Sequence, residues 1–147
     1  MVCLGNICRS PMAEGILKKK IAERGIKATV DSAGTGAWHA GEPPDRRAIL
    51  TSKKFGVDIS GLVARQFSQN DFEDFDFIFV MDHSNLDDVR TLARTKQESE
   101  KVKLLLDMDQ PGSHRDVPDP WYGGQEGFTE VFKMLDKACE ALVKSLD

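Results

Sequence analysis

The sequence predicts an α/β fold in three layers, with a four-stranded, mainly parallel sheet and helices on both faces. Three observations lead there. Short strand-like runs alternate with longer helix-like segments, which is the pattern of crossover helices laid over a parallel sheet. The last segment repeats Phe128, Val131, Phe132, Leu135, Ala138, Cys139, Leu142 and Leu146 at helical spacing. The 147 residues hold no internal repeat or low-complexity linker, so residues 1–147 are read as one domain.

Taken in order, "MVC" reads as the end of a strand. Only Met1 and Val2 precede Cys3, so this strand is expected either to be cut short or to lack residues ahead of Met1. Helix one is expected from Ser10 to Arg24, with Ser10 as N-cap, Pro11 at the first helical position and Gly25 at the exit. Ala13, Ile16, Leu17 and Ile21 share one face of it. "KATVDS" reads as the second strand and "AGTGAWHAGEPP" as a long loop. Asp45 caps a second helix through Ala48, Ile49 and Phe55, which stops at Gly56. "FDFIFVM" (75–81) reads as a buried strand, followed by a helix carrying Leu86, Val89, Leu92 and Ala93. "KVKLLL" (101–106) is a further strand, and "DMDQPGSHRDVPDPWYGG" is a second long loop.

Several function classes fall away. The net charge is −4, with no basic patch for nucleic acid, and "KKK" at 18–20 reads as a solvated helix face. No apolar run nears the ~20 residues that span a bilayer, so no membrane partner is expected. The start shows no basic stretch followed by an apolar one, hence no secretion signal. Three cysteines do not suit a disulfide framework, and a reducing, cytoplasmic setting is inferred. His39, His83 and His114 are scattered without metal-ligand spacing and read as surface histidines. No metal and no cofactor are expected.

The chemistry concentrates in "CLGNICRS". Cys3 and Arg9 stand in a C-x5-R pattern between a strand end and a helix start, where ligands bind in parallel α/β folds. A loop of this size can curl its N–H groups inward, and the helix N-terminus behind it adds favourable field for an anion. Gly5 and Asn6 suit it because both tolerate positive φ. Arg9 supplies a fork for two phosphate oxygens. In that field the Cys3 thiol should lose its proton readily and attack a bound phosphorus atom. Ser10 can donate a hydrogen bond to the thiolate. The bare C-x5-R pattern is weak, since arginine is common; its placement is what carries weight. Cys8 is either a packing residue or a redox partner for Cys3, whereas Cys139 lies on the apolar stripe of the last helix and reads as core. Expulsion of the leaving oxygen needs an acid. "DVPDPWYGG" offers Asp116 and Asp119, and Asp119 is preferred because Pro120 stiffens it and Trp121 and Tyr122 can wall an aromatic pocket.

These residues, with "DSAGT" and "MDHSNL", resemble the low-molecular-weight protein tyrosine phosphatases along essentially the whole chain. The resemblance implies the phosphotyrosine phosphatase I-like fold and hydrolysis of phosphotyrosine through a phosphocysteine. It implies Cys3 as nucleophile, Arg9 as phosphate clamp and Asp119 as general acid and then base. Leu4, Gly5, Asn6, Ile7, Cys8 and Ser10 would form the phosphate-binding loop. Trp38, Trp121 and Tyr122 would surround the ring. Asn6, Ser10 and Ser32 would form a supporting polar network, with Asp82 as a structural anchor. Expected partners are phosphotyrosine proteins or small aryl phosphates, acted on by a monomer or weak dimer. The cysteine-first order separates this chain from phosphatases with the cysteine late in the domain. Many members carry a histidine before the "ARQ" turn where this sequence has Leu62, so the support for Asn6 and Ser32 is expected to be arranged differently and the loop to be less rigid. A thioredoxin-coupled arsenate reductase of the same fold would need two more cysteines after the middle strand, and "MDHSNLDDVRTLAR" has none. A catalytically silent phosphate binder would lack Cys3, Arg9 or the acid, and all three are present.

Overall fold

A computed structural model describes residues 1–146. Four strands form one sheet: β1 (Val2–Cys3), β2 (Ala33–Gly34), β3 (Ile78–Val80) and β4 (Val102–Leu104). Their order is β2-β1-β3-β4 and every pairing is parallel. The long helices are α1 (Arg9–Glu23), α2 (Arg46–Lys54), α4 (His83–Leu92) and α6 (Gln125–Leu146), with short α3 (Asp71–Asp74) and α5 (Lys96–Glu100) between them.

Side chains on successive strand residues point to opposite faces, and the core divides accordingly. Cys3, Phe79 and Met81 face a cluster with Met12, Ile16, Phe128 and Leu135, under α1 and α6. Val2, Ile78, Val80 and Leu104 face a second cluster with Phe72 and Val89, under α3 and α4. This is the expected three-layer arrangement. Cys139 is fully buried within the α6 stripe, and burial pushes its thiol up to about 12.

The boundaries show where local pattern and tertiary pairing part. The second strand is not "KATVDS": residues 27–32 belong to no ladder, and β2 is Ala33–Gly34. Val2 lies opposite Ala33 and Cys3 opposite Gly34, so in this register residues 27–30 face no residue of β1. Strand three is Ile78–Val80, shorter than 75–81, and strand four stops at Leu104, short of 106, because Leu105–Met108 turns at once into a 3-10 helix. Ser10 is not the cap of α1. Cys8 occupies that position without a side-chain bond, and Ser10 is buried inside the first turn. Gly25 does close α1 at φ 65°, with Ile26 N–H returning to Ile21 O. Asp45 does cap α2, accepting from Arg47 N–H.

Gly34 positions the site directly. A Cβ there would meet Leu4 O at 2.8 Å, Gly5 C at 3.0 Å and Asn6 N at 3.1 Å, all backbone of the loop after β1. Gly34→Ala is therefore expected to cost about 1–3 kcal/mol, as overpacking does. Denaturant titration checks this, and an unchanged midpoint would mean that the loop backbone yields.

Candidate active site

The segment from Leu4 to Cys8 leaves β1 and enters α1. It is tied from outside at three carbonyls, one of them just ahead of it: Thr35 N–H donates to Cys3 O, Gly36 N–H to Leu4 O and Asp45 N–H to Ile7 O, at 2.8–2.9 Å. Asn6 takes φ 58°, a left-handed conformation that asparagine tolerates. Its amide is fully used. Nδ2 donates to Ser10 Oγ (2.8 Å) and Ser32 Oγ (2.9 Å), and Oδ1 accepts from Arg65 N–H (3.1 Å). Ser32 Oγ in turn donates to Glu14 Oε1 at 2.5 Å. Ser10 Oγ, already accepting from Asn6, stands 3.0 Å from Cys3 Sγ and 3.5 Å from Ala33 O, so its proton can serve the sulfur when Cys3 is a thiolate.

Arg9 is 3% exposed and every visible partner is an acceptor. Nη1 donates to Asp82 Oδ2 (2.6 Å) and Val117 O (2.9 Å), and Nη2 lies 3.8 Å from Asp119 Oδ2. Burial alone would lower its pKa. The negative charge at Cys3 and the bond to Asp82 outweigh that, with Asp119 adding to them, and hold it above the usual arginine value. Asp119 caps the short 3-10 turn Pro120–Tyr122, accepting from Trp121 N–H. Asp116 points elsewhere: it accepts from His83 N–H and sits 2.6 Å from His83 Nδ1. Of the two loop carboxylates, Asp119 is the one that reaches Arg9.

Cys3, Arg9 and Asp119 line one cleft of about 170 Å³, room for several water-sized groups at ~30 Å³ each. Leu4, Gly5, Ile7 and Cys8 complete its floor. Trp38, Trp121 and Tyr122 stand at its rim, with Tyr122 90% exposed and so free of the core. Burial, followed by the charges of Asp45, Cys3 and Asp119, pushes the Cys8 thiol above the ordinary thiol range. Among the described residues no group of three or more His, Cys, Asp or Glu side chains is placed to hold a metal ion, and no helix is long and apolar enough to cross a membrane.

The family model for low molecular weight phosphotyrosine protein phosphatases matches residues 1–147. The chain belongs to that family. It is 43% identical to the low molecular weight phosphotyrosine protein phosphatase of Schizosaccharomyces pombe, over 99% of this chain and 94% of that one. A protein tyrosine phosphatase structure from Entamoeba histolytica, with Hepes in its active site, superposes with TM-score 0.92 at 38% identity, over 99% and 93% of the two chains. The structure of a Drosophila arginine phosphatase superposes at 0.90 and 34% identity, over 98% and 94%.

The residues expected from sequence as loop, clamp, acid and rim lie around one cleft. Asp82 does more than anchor a loop, since its Oδ1 also caps α4 at Asn85 N–H. Three residues escaped. His39, read as a surface residue, lines the cleft, with its Nδ1 2.8 Å from Glu42 and its ring 5.9 Å from that of Trp121. Its place beside Trp38 in one loop was the available signal. Glu14, 3% exposed, ends the hydrogen-bond chain and gave no signal beyond lying on the helix that follows the loop. Arg47, whose neighbour Asp45 was read as a cap, reaches the acid loop.

The doubled role of Asn6 separates into two variants. Asn6→Gly is expected to be about 1 kcal/mol more stable than Asn6→Ala, because only the backbone preference distinguishes them. Both should lose activity to a similar degree, since neither carries the amide. Denaturation and steady-state rates measure the two effects, and full activity in Asn6→Gly would reduce Asn6 to its backbone shape.

Proposed function

We propose that this chain is a protein-tyrosine phosphatase hydrolysing phosphotyrosine monoesters, with Cys3 as nucleophile, Arg9 as phosphate clamp and Asp119 as general acid and base. One observation carries it: Asp119 stands 3.8 Å from the arginine of the loop that holds Cys3, at the mouth of the same cleft. Outward-turned carbonyls leave the N–H groups of Gly5, Asn6, Ile7 and Cys8 for phosphate oxygens. Arg9 is already oriented by Asp82, so little conformational freedom is lost when it clamps the anion. The Cys3 thiolate attacks phosphorus, the bond to the phenolic oxygen breaks, and Asp119 as a carboxylic acid gives that oxygen its proton. Water then attacks the phosphocysteine, Asp119 takes the water proton, and the sulfur leaves as thiolate steadied by Ser10. Free phosphate is released.

Preference for tyrosine rests on two arguments. Phenolate is a better leaving group than an alkoxide, and the aromatic rim of Trp38, His39, Trp121 and Tyr122 suits a flat ring. The substrates are phosphotyrosine proteins or small aryl phosphates. The setting is a reducing cytoplasm, in keeping with three free cysteines, and the acting form is a monomer or weak dimer. Cys8, in the same cleft, takes a second role as disulfide partner when Cys3 is oxidised; peroxide treatment that yields only over-oxidised Cys3, with no bond between residues 3 and 8 by mass spectrometry, would exclude that role.

Peptides carrying phosphotyrosine, phosphoserine or phosphoarginine test the activity. Turnover is expected on phosphotyrosine, with at least a hundredfold lower kcat/KM on phosphoserine. Faster turnover of phosphoarginine would reassign the substrate. Cys3→Ser is expected to abolish hydrolysis while inorganic phosphate still binds. Asp119→Ala should lower kcat/KM by roughly 10²–10⁴ on poor leaving phenols and far less on good ones, the range general acids supply. Equal losses on both would remove Asp119 from the role of acid.

A further inference from the structure

Arg47 belongs to α2, yet four of its five side-chain donors fasten two other things. Nε and Nη2 hold the cap residue Asp45, at 3.1 Å and 3.2 Å. Nη1 donates to Gly123 O (3.0 Å) and Nη2 also to Trp121 O (3.2 Å), on either side of Tyr122 in the acid loop. The guanidinium lies 5.4 Å from the Trp121 ring centroid and 4.6 Å from that of Phe128 in α6. Gln125 Nε2, just past the loop, returns a bond to Arg47 O at 3.4 Å. The other end of the same short segment reaches the phosphate loop, where Asp45 N–H donates to Ile7 O at 2.8 Å.

We propose that Arg47 is a positioning residue for the general acid, holding the Asp119 loop at a set distance from the phosphate loop. The inference rests on the reading of Asp119 given above. The physical case is one of constraint. Asp119 touches the site only through Arg9 at 3.8 Å, and its own loop is a 3-10 turn of three residues followed by two glycines. The rim residues Trp121 and Tyr122 are 40% and 90% exposed, so packing alone does not hold them. A planar fork that spans two carbonyls of that turn, and is itself pinned by the residue bonded to Ile7 O, makes both loops parts of one frame. Lysine, a single point donor, cannot bridge two carbonyls and a carboxylate in one plane. Arg47 touches no reacting atom; it acts through Asp119.

A positioning role leaves a signature that a merely structural role lacks. A displacement of about 1 Å at a reacting group costs on the order of 100-fold. In Arg47→Ala, kcat/KM for phenyl phosphate is expected to fall at least tenfold more than for p-nitrophenyl phosphate, while inhibition by inorganic phosphate stays within twofold. Arg47→Lys should show the same selective loss in smaller degree. In an Asp119→Ala background, Arg47→Ala should add less than twofold on phenyl phosphate, because the acid it positions is gone. Equal loss on both esters, weakened phosphate inhibition, or a full additive loss in the double variant would overturn the proposal. If Asp119→Ala itself shows no leaving-group dependence, the acid assignment fails first; if it does and neither Arg47 variant follows, only the Arg47 proposal fails. A variant of Arg47→Ala too unstable to assay leaves Arg47→Lys to decide on the same ratio.

Discussion

The structure hangs on a buried cation. Arg9 is almost wholly removed from water, and a guanidinium in that position must be paired or the fold is lost. Its three partners come from two distant stretches: Asp82 just past β3, and the carbonyl of Val117 with Asp119 in the second long loop. Val117 is in turn seated by its N–H on Met81 O at 2.7 Å. The requirement to satisfy one side chain therefore draws the middle strand, the second long loop and the first helix to a common point. That point is the carboxyl edge of the sheet, where β1 delivers Cys3.

The same economy explains why carboxylates surround a site built for an anion. Asp82 and Asp119 flank Arg9, and Asp45 lies near Cys8. Asp82 spends its oxygens on Arg9 and on Asn85 N–H, and Asp45 spends its own on Arg47. Each therefore orients a donor instead of opposing the ligand. Asp119 is the exception: one oxygen is held by Trp121 N–H, while the other reaches Arg9 only at 3.8 Å. That looser contact leaves this oxygen the least engaged among the three carboxylates.

How far the sequence could be read depends on the range of the interaction. The helix of α6 and the caps at Gly25 and Asp45 are local features, encoded within a few residues, and they lie where pattern placed them. Cys3, Arg9 and Asp119 were legible because their side-chain chemistry is distinctive in its sequence context. The second strand was misplaced because a ladder needs a partner: "KATVDS" has strand composition, but the register of β1 reaches only Ala33 and Gly34. Ser10 looked like a cap because serine favours that position; tertiary bonds to Cys3 and Asn6 claim its hydroxyl instead. The contacts that tie Arg47 to Trp121 and Glu14 to Ser32 span long stretches of chain and leave no local mark.

Leu62 shows how a polar network tolerates a missing member. Where the resemblance implies a histidine, this chain has a partly buried leucine that packs on the core. The chain of hydrogen bonds ends instead on Glu14, held from outside by Lys18, and on Arg65 N–H. Polarity follows from those two ends. A carboxylate can only accept, so Ser32 must donate to it and accept from Asn6. A backbone N–H can only donate, so the Asn6 oxygen faces Arg65 and its nitrogen faces the serines. With both Asn6 protons assigned, the Ser10 proton has Cys3 Sγ as its near acceptor, Ala33 O lying at 3.5 Å. A thiolate at Cys3 would thus receive the Ser10 proton through an arrangement held by Glu14 and Arg65, outside the cleft.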